Sequence, residues 1–334
     1  MKELKNALWR PVRNFYLTRK DRRAGRQLRR TQDNTARIRR NDILLVVCLR
    51  NEKFRMPAFV DYYRRLGIDH FLVVDNGSTD GFADWARGQP DISVWSTQAS
   101  YKASNFGMLW CNDLLRRYGS GHWCLTVDPD EFLVFPFCET RDLHALCQFL
   151  TDDSCAAMHT LMLDAYSDRA MAETVLAEGD DPFDVCPYFD ADGYIQSTGW
   201  SGGAFIRGGP RQRVHFREQP ENAPALNKMP LVRWRRDFHY RMSMHDAYPK
   251  RINRAHLPGE VSVSGALVHF KLIASLEDKA AEEMRRREHF AGGREYEQYL
   301  HAGENEFFEP GISVRYKGSR QLIDLGLISP GAWF

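Results

Sequence analysis

The sequence lacks long apolar runs, paired cysteines and internal repeats. No apolar stretch approaches the ~20 residues of a membrane-spanning helix, and lysine and arginine interrupt the first apolar residues, so neither a transmembrane segment nor a signal peptide is expected. The seven cysteines form no CxxC pair, which argues against a disulfide scaffold or a zinc knuckle. Cys48, Cys124 and Cys155 lie in apolar runs and are expected to be buried thiols of a cytoplasmic protein.

Charge is unevenly distributed along the 334 residues, although the composition is that of an ordinary globular protein. Hydrophobic residues make up 43% and charged residues 27%, which excludes wholesale disorder. The formal net charge is only +2, but residues 1–40 contain 14 Lys and Arg against 3 acidic residues and so carry +11. The remaining chain carries −9, and we expect the basic segment to meet an anionic partner.

The same basic segment has the pattern of an amphipathic helix. Leu4, Leu8, Val12 and Phe15 recur at helical spacing, which is typical of helices that lie on anionic lipid. The alternative is a solvated basic tail with a few residues docked on the body of the protein. Nucleic acid is not an expected partner, because no recognition motif accompanies the charge. The first interpretation predicts a peripheral protein at the inner face of the plasma membrane.

From residue 42 onward, strand-like apolar runs alternate with amphipathic helices. Asp42–Leu49 and His70–Val74 have the continuous apolar character of strands buried on both faces. Between them, a helix is expected to begin near Pro57 and to end at Gly67. The alternation continues to a strand at His122–Val127, which predicts an α/β fold with a Rossmann-type, mostly parallel sheet flanked by helices. Ligands bind such sheets beyond the carboxyl ends of the strands.

These patterns divide the chain into three expected parts. A basic N-terminal arm covers 1–40, a catalytic domain covers 41–275, and a helical C-terminal extension covers 276–334. A charged helix is expected over Ser275–Ala291. No linker is long enough to separate a second domain.

Carboxylates cluster directly after the strand His122–Val127, in the sequence Asp128-Pro129-Asp130-Glu131. Because proline fixes its own φ, the aspartates on either side of it can point toward one hard cation. Mg²⁺ and Mn²⁺ prefer oxygen ligands and keep positions open for substrate phosphates. The pattern therefore predicts a divalent cation site; the alternative is a solvated acidic turn.

A second polar loop, Asp75–Gly81, follows the strand His70–Val74. Asp75 can accept hydrogen bonds from a base or a ribose, whereas the alternative is an Asn-Gly turn followed by a capping hydroxyl. A dinucleotide site would require GxGxxG after the first strand, where the sequence has Leu49–Glu52 instead. Hydride transfer is therefore disfavoured.

Three motifs in this order, Leu49–Glu52, Val74–Asp80 and Asp128–Phe132, resemble those of family 2-type glycosyltransferases with the GT-A fold. The bacterial branch related to the family 92 enzymes looks most similar. The agreement continues through Gly208–Arg211, Lys228–Val232, Met244–His245 and Leu267–Lys271. The resemblance thus covers roughly Asp42–Ala291, which is most of the chain.

This resemblance implies a metal-dependent, inverting transfer of a sugar from a nucleotide-sugar to a hydroxyl of a glycan or lipid-linked acceptor, in the synthesis of surface polysaccharide or glycolipid. The donor in such enzymes is most often a UDP-sugar. The resemblance further implies that Arg50, Asn51, Glu52 and Asp75 line the nucleotide.

The metal ligands are also implied by the resemblance. Asp128 and Asp130 would form the DxD motif that holds Mn²⁺ or Mg²⁺ and, through it, the diphosphate. GT-A enzymes often take a third ligand from a late histidine, which favours His269, with His245 as the alternate. An imidazole ligand suits Mn²⁺ better than Mg²⁺.

Basic side chains are expected to grip the diphosphate, in bidentate fashion where the side chain is arginine. The candidates are Lys102, Arg207, Arg211, Arg213 and Lys228. The alternative for each is a solvated loop charge.

An inverting transferase also needs a carboxylate that deprotonates the acceptor hydroxyl. Asp164, after the expected strand Cys155–Leu163, is the first candidate, followed by Asp237 and Asp246. Trp200 is either an acceptor platform or an ordinary core residue. Two further functions are weighed against the transferase: a sugar-nucleotide nucleotidyltransferase and a non-catalytic carbohydrate-binding protein with the same fold.

Overall fold

The computed structural model describes residues 2–199, 203–254, 262–276 and 307–333. Its helices are α1 (Lys2–Gly25), α2 (Met56–Leu66), α3 (Phe82–Arg87), α4 (Met108–Leu114), α5 (Leu143–Asp152), α6 (Pro182–Val185), α7 (Gly209–His215) and α8 (Ser319–Asp324). Its strands are β1 (Arg29–Gln32), β2 (Leu44–Leu49), β3 (His70–Asp75), β4 (Ile92–Ser96), β5 (Trp123–Thr126), β6 (Glu131–Val134), β7 (Ala157–Asp164), β8 (Tyr188–Asp190), β9 (Ile195–Thr198), β10 (Ala204–Arg207), β11 (Asn227–Arg233), β12 (His239–Met242), β13 (Asp246–Tyr248), β14 (Ser264–His269) and β15 (Ser313–Arg315). Trp200 and residues 277–291 of the expected charged helix lie outside the described residues.

Nine of these strands form one central sheet in the order β1-β4-β3-β2-β5-β11-β7-β14-β6. Strands β2, β3, β4, β5, β7 and β14 run in one direction, and β1, β6 and β11 run in the other. The six strands that run in the first direction therefore all end at the same side of the sheet, which we call the carboxyl edge. The sheet is mixed but mostly parallel, and the predicted α/β class is confirmed at that level.

The central strands are buried on both faces, as their continuous apolar sequence predicted. Along β2, Leu45 and Val47 join one hydrophobic cluster, whereas Leu44 and Val46 join the cluster on the other face. Each such fully buried side chain contributes about 1.5–3 kcal/mol to folding relative to an exposed one. Helix α2 covers the first cluster and ends at Gly67, whose φ of 103° lies in the left-handed region that favours glycine.

Part of the basic segment 1–40, which the sequence analysis treated as an arm, belongs to the sheet. Strand β1 pairs with β4 in antiparallel fashion and forms one edge of the sheet. The Gln32 Nε2 atom donates to the carbonyl oxygens of Ala86 and Ile92 at 2.9 Å, and the Asn34 Nδ2 atom donates to that of Ile92 at 2.8 Å. These bonds fix residues 29–34 to the body of the protein.

Helix α1 packs on α4 through a buried polar network. The Asp21 side chain is 2% exposed and its Oδ2 atom lies 2.6 Å from the His239 Nδ1 atom. The other ring nitrogen of His239 lies 2.7 Å from the Asn14 Oδ1 atom, and the Asn112 Nδ2 atom donates to Asp21 at 3.3 Å. None of the described helices is long and apolar enough to cross a membrane.

The C-terminal segment is only partly helical where the structure describes it. Residues 307–333 contain β15, which pairs with β8, and the short helix α8. The Trp333 Nε1 atom donates to the carbonyl oxygen of Pro136 at 2.9 Å. This segment therefore packs on the central domain, and the described part of the extension predicted over 276–334 contains a strand as well as a helix.

Candidate functional site

Polar side chains from several strands meet at the carboxyl edge of the sheet. Asp164 ends β7 and His269 ends β14, and the two residues are paired in the parallel register. On the other side of β14, His269 is paired with Glu131, the first residue of β6. Because β11 runs against its neighbours, it begins at this edge and brings Lys228 next to the loop that follows β5.

Lys228 lies between two of the predicted site carboxylates. Its Nζ atom donates to the Asp128 Oδ2 atom at 3.0 Å and also to the Glu131 Oε1 atom. The Lys228 side chain is 4% exposed and that of Glu131 only 1%, whereas the Asp128 side chain is 37% exposed. Burial lowers the pKa of Lys228, but Asp128 and Glu131 more than offset it and raise that pKa well above its usual range. Lys228 therefore remains an ammonium group.

A second chain of contacts links Asp130 to the interior. The His269 Nε2 atom lies 3.5 Å from the Asp130 Oδ2 atom, and the His269 Nδ1 atom lies 2.7 Å from the Asp164 Oδ1 atom. The other oxygen of Asp164 accepts from the Arg211 Nε atom at 2.7 Å. The Asp164 side chain is fully buried. Because both of its oxygens are bound to basic groups, Asp164 holds the imidazole of His269 in one orientation.

The charges along this second chain reinforce one another. Burial raises the pKa of Asp164, but Arg211 and His269 outweigh it and bring that pKa below its usual value. Burial lowers the pKa of His269, but Asp130 and Asp164 outweigh it and bring that pKa above its usual value. The Nδ1–H group of the imidazole points to Asp164 and the Nε2 atom faces Asp130, so each ring nitrogen has a carboxylate beside it that stabilises a proton there.

Asp130 and His269 are the two predicted metal ligands that the structure brings together, with the Asp130 Oδ2 atom 3.5 Å from the His269 Nε2 atom. An oxygen and an imidazole nitrogen are donors that a divalent cation such as Mn²⁺ accepts, so these two side chains would hold such an ion. Within the described ranges, no group of three or more His, Cys, Asp or Glu side chains could hold a metal ion. Asp128 is instead engaged by Lys228. A cation here would complete its coordination with water or with a ligand, as Mg²⁺ commonly does.

The loops after β2 and β3 are bonded to each other. The Arg50 Nη1 atom donates to the carbonyl oxygens of Asn76 and Gly77 at 2.8 and 2.9 Å. The backbone N–H of Asn51 donates to the Ser78 Oγ atom at 3.0 Å, and the backbone N–H of Ser78 donates to the Asp75 Oδ1 atom at 2.8 Å. The predicted nucleotide-lining residues of these two strands are thus brought together.

Glu52 is buried in an ion pair that the sequence analysis did not identify. The Arg55 Nε atom lies 3.0 Å from the Glu52 Oε2 atom, and the Arg55 Nη1 atom donates to the carbonyl oxygen of Phe270 at 2.9 Å. This pair connects the loop after β2 to the end of β14, next to His269. Arg55 lies one turn after the Leu49–Glu52 motif, and that spacing of three residues is the only signal that could have suggested the pair.

His245 lies in the turn between β12 and β13, beside the beginning of β11. Its Nδ1 atom lies 2.6 Å from the carbonyl oxygen of Asn227, and because a carbonyl only accepts, Nδ1 carries the proton. Burial, assisted by the charge of Lys228, lowers the pKa of His245 to about 4. His245 is therefore a neutral imidazole near Lys228, and it does not pair with Asp130 as His269 does.

The three candidates for the acceptor base do not present a carboxylate to an acceptor. Asp164 is fully buried between Arg211 and His269. Asp246 is 4% exposed, pairs with Arg241 and accepts from the Asn253 Nδ2 atom at 3.0 Å. Asp237 follows the last residue of β11, Arg233, which pairs with Trp123 at the beginning of β5. Asp237 is therefore at the opposite edge of the sheet. The role of acceptor base therefore stays a prediction for these three residues, and their positions do not favour it.

The remaining basic candidates have separate positions. Arg213 pairs with Asp190 at 2.9 Å and with Glu309 at 3.0 Å, and the Arg207 guanidinium lies 4.7 Å from the ring centre of Phe205. Lys102 is exposed in the loop between β4 and α4. Of the five basic side chains predicted to grip a diphosphate, the structure brings Lys228 and Arg211 to the carboxylates of the carboxyl edge.

Comparisons with known proteins add little to this description. No family model matches the sequence, and no curated protein matches it. Among solved structures, the crystal structure of 4-diphosphocytidyl-2C-methyl-D-erythritol synthase matches with 20% sequence identity over 43% of this chain and 69% of that chain, at a TM-score of 0.24. A match at that TM-score carries no argument about fold or function.

Proposed function

We propose that this protein is an inverting glycosyltransferase that transfers a sugar from a nucleotide-sugar, on its motifs a UDP-sugar, to a hydroxyl of a glycan or lipid-linked acceptor. The observation that carries the proposal is the chain Asp130–His269–Asp164 at the carboxyl edge, the edge at which the joined loops after β2 and β3 also lie. Ligands of open α/β sheets bind at this edge. The GT-A fold remains part of the proposal.

Asp130 and His269 are the residues that would hold Mn²⁺ or Mg²⁺ in this protein. Such an ion, when bound, stabilises the negative charge that develops on the departing nucleoside diphosphate. Asp164 and Arg211 act on this site through His269, because they fix the direction in which its Nε2 atom points. They are therefore positioning residues.

Lys228 has a different proposed role at the same edge. Its ammonium lies 3.0 Å from Asp128, whose side chain is 37% exposed, so a bound diphosphate can approach the cation by displacing or sharing that carboxylate. The Asp75–Ser78 turn follows β3 at the same edge of the sheet and would face the nucleoside. In the reaction, the C1–O bond to the phosphate breaks, the acceptor oxygen bonds to C1, and the acceptor proton passes to a base.

The test is the release of nucleoside diphosphate from UDP-glucose, UDP-N-acetylglucosamine and GDP-mannose in the presence of MnCl₂. We expect Asp130→Asn and His269→Gln to reduce release by about 100-fold or more, the scale of losing a group that stabilises developing charge. The matched control is Asp152→Asn, an exposed carboxylate at the end of α5 near the beginning of β7 and so at the opposite edge, which should leave the rate unchanged. Equal rates for Asp130→Asn and wild type would refute the assigned site. Thermal unfolding of each variant separates lost chemistry from lost stability.

The products also distinguish the proposed reaction from nucleotidyl transfer. A glycosyltransferase releases a nucleoside diphosphate, whereas a sugar-nucleotide nucleotidyltransferase releases pyrophosphate from a nucleoside triphosphate and a sugar phosphate. The second enzyme would normally have a glycine-rich phosphate loop after its first strand, and Arg50, Asn51 and Glu52 stand at that place here. Pyrophosphate release with UTP and glucose 1-phosphate, sensitive to Asp130→Asn, would favour the nucleotidyltransferase.

A further inference from the structure

Helix α1 has an outward face that combines exposed apolar and exposed basic side chains. Val12, Phe15 and Tyr16 are 57%, 65% and 57% exposed, among the most exposed large hydrophobic residues that the structure describes. Arg19 follows Tyr16 by three residues and Phe15 by four, and Arg23 follows Arg19 by four, so both arginines continue the same face toward the end of the helix. Both arginines are exposed.

The opposite face of the helix is fixed to the protein. Asp21, Ala24 and Gly25 are buried against α4, and Asn14 is bonded to the buried His239. A Cβ atom on Gly25 would lie only 1.9 Å from the Asp113 Oδ2 atom, so the two helices approach closely there. The rotation of α1 about its axis is thus set by burial, and the outward face cannot turn inward without breaking this network.

Charge identifies the kind of surface that would cover this face. Residues 1–40 carry a net charge of +11, whereas the rest of the chain carries −9. The outward face of α1 therefore attracts an anionic partner, and its exposed aromatic residues require that the partner also accept apolar groups. The interface of an anionic lipid bilayer meets both requirements: apolar and aromatic side chains enter the acyl boundary, while arginines contact the headgroup phosphates.

We propose that α1 docks flat on an anionic lipid bilayer through Val12, Phe15, Tyr16, Arg19 and Arg23. The proposal refines the predicted arm: the membrane-binding element is one face of a rigid, docked helix. Duplex nucleic acid satisfies the basic residues but offers no apolar layer for three adjacent exposed hydrophobic side chains.

The docked helix is also connected to the candidate site. Asn14 and Asp21 bond to His239 of β12, and the turn that joins β12 to β13 carries His245 beside the beginning of β11. A bilayer on the outward face of α1 would therefore be separated by this one helix from the hairpin that reaches the carboxyl edge. That a lipid-linked acceptor arrives from this bilayer rests on the proposed glycosyl transfer, whereas the membrane binding itself does not.

Membrane binding is tested by co-sedimentation of the full chain with vesicles of phosphatidylcholine, with and without phosphatidylglycerol. Arg19→Gln/Arg23→Gln should weaken binding to the anionic vesicles by about 25-fold, since each basic residue near such a surface strengthens binding about fivefold. Phe15→Ser/Tyr16→Ser should weaken it by about tenfold or more through lost apolar burial.

Matched control variants carry the same changes elsewhere on the surface. Val175→Ser/Ile195→Ser removes two hydrophobic side chains that are 66% and 67% exposed, and Arg87→Gln/Arg320→Gln removes two arginines whose side chains are 71% and 78% exposed. These variants should bind as the wild type does. All variants should retain the wild-type thermal unfolding, because the changed side chains are on the exposed face.

The outcomes separate this inference from the proposed function. The inference is supported if binding requires phosphatidylglycerol, is weaker in both α1 double variants and is unchanged in the control variants. The inference is overturned if the wild-type protein stays in the supernatant or binds both vesicle types equally. It is also overturned if the α1 double variants bind as strongly as the wild type. Retention on duplex DNA in place of the vesicles would assign the face to nucleic acid and likewise overturn it. Because no nucleotide-sugar is present, none of these results depends on glycosyl transfer.

Discussion

Replacing Lys228 with methionine should destabilise the protein strongly, because it leaves a buried carboxylate without its cation. Methionine nearly preserves the length of the side chain but removes the ammonium that contacts both Asp128 and Glu131. The two carboxylates are not equally affected. The Asp128 side chain is 37% exposed and can be solvated by water, whereas that of Glu131 is 1% exposed.

The magnitude follows from this difference in burial. Breaking a buried ion pair from one side costs about 3–5 kcal/mol, whereas an exposed pair is worth about 0–1 kcal/mol. We therefore expect Lys228→Met to lower the free energy of unfolding by about 3–5 kcal/mol, nearly all of it through Glu131. Asp128→Asn, which removes the exposed partner of the same lysine, should cost about 1 kcal/mol or less.

The assay is urea unfolding followed by tryptophan fluorescence, with the free energy obtained by linear extrapolation. A double variant, Lys228→Met/Glu131→Leu, should recover most of the loss, because a buried ion pair can be replaced by apolar side chains at little net cost. A loss below about 1 kcal/mol for Lys228→Met, or an equal loss for Asp128→Asn, would refute the argument that burial of Glu131 dominates.

Two further predictions concern regions away from the carboxyl edge. Asp21→Ala should lower the free energy of unfolding by about 3 kcal/mol, because it removes the partner of His239, whose side chain is 1% exposed. Thermal unfolding measures this loss. As a control, Asp33→Ala in the exposed turn after β1 should cost about 1 kcal/mol or less. Burial lowers the pKa of His70, so the folded state binds a proton more weakly than the unfolded chain, and stability should be lost as the pH falls below about 6.5. A His70→Gln variant should show a smaller change of melting temperature between about pH 7.5 and 5.5, and an unchanged profile would contradict the assignment.

Sequence patterns predicted the parallel half of the fold because those strands are local features. Continuous apolar runs marked β2 and β3, and the polar loops after Leu49, Val74 and Val127 were correctly expected at one edge of the sheet. The insertion of β11 between β5 and β7 could not be predicted, because pairing between distant strands leaves no periodic signal in either one. The edge strand β1 was missed for a related reason: its exposed, basic sequence has no apolar alternation.

The candidate site shows the same division between local and distant information. The Asp128–Glu131 motif correctly identified carboxylates at the carboxyl edge, but the cation that pairs with Asp128 comes from a residue 100 positions away. Lys228 was expected to contact phosphate, and its ion pairs depend on the direction of β11. Asp164 was expected to contact an acceptor, but the parallel register of β7 and β14 makes it a partner of His269. A sequence motif shows which residue types are present, whereas the strand topology determines which of them form ion pairs with each other.

Charge balance at the carboxyl edge links these contacts to the proposed chemistry. The two chains of contacts contain four carboxylates and two permanent cations. The carboxylates are Asp128, Asp130, Glu131 and Asp164, and the cations are Lys228 and Arg211. Acidic side chains thus outnumber the permanent cations by two, and Asp130 and Asp164 outweigh burial and raise the pKa of His269 above its usual value, so this edge favours a positive charge beside Asp130. On the proposed function, a divalent cation held by Asp130 and His269 would supply that charge, and Lys228 would remain to meet a phosphate. We therefore expect a diphosphate ligand to bind together with its metal ion.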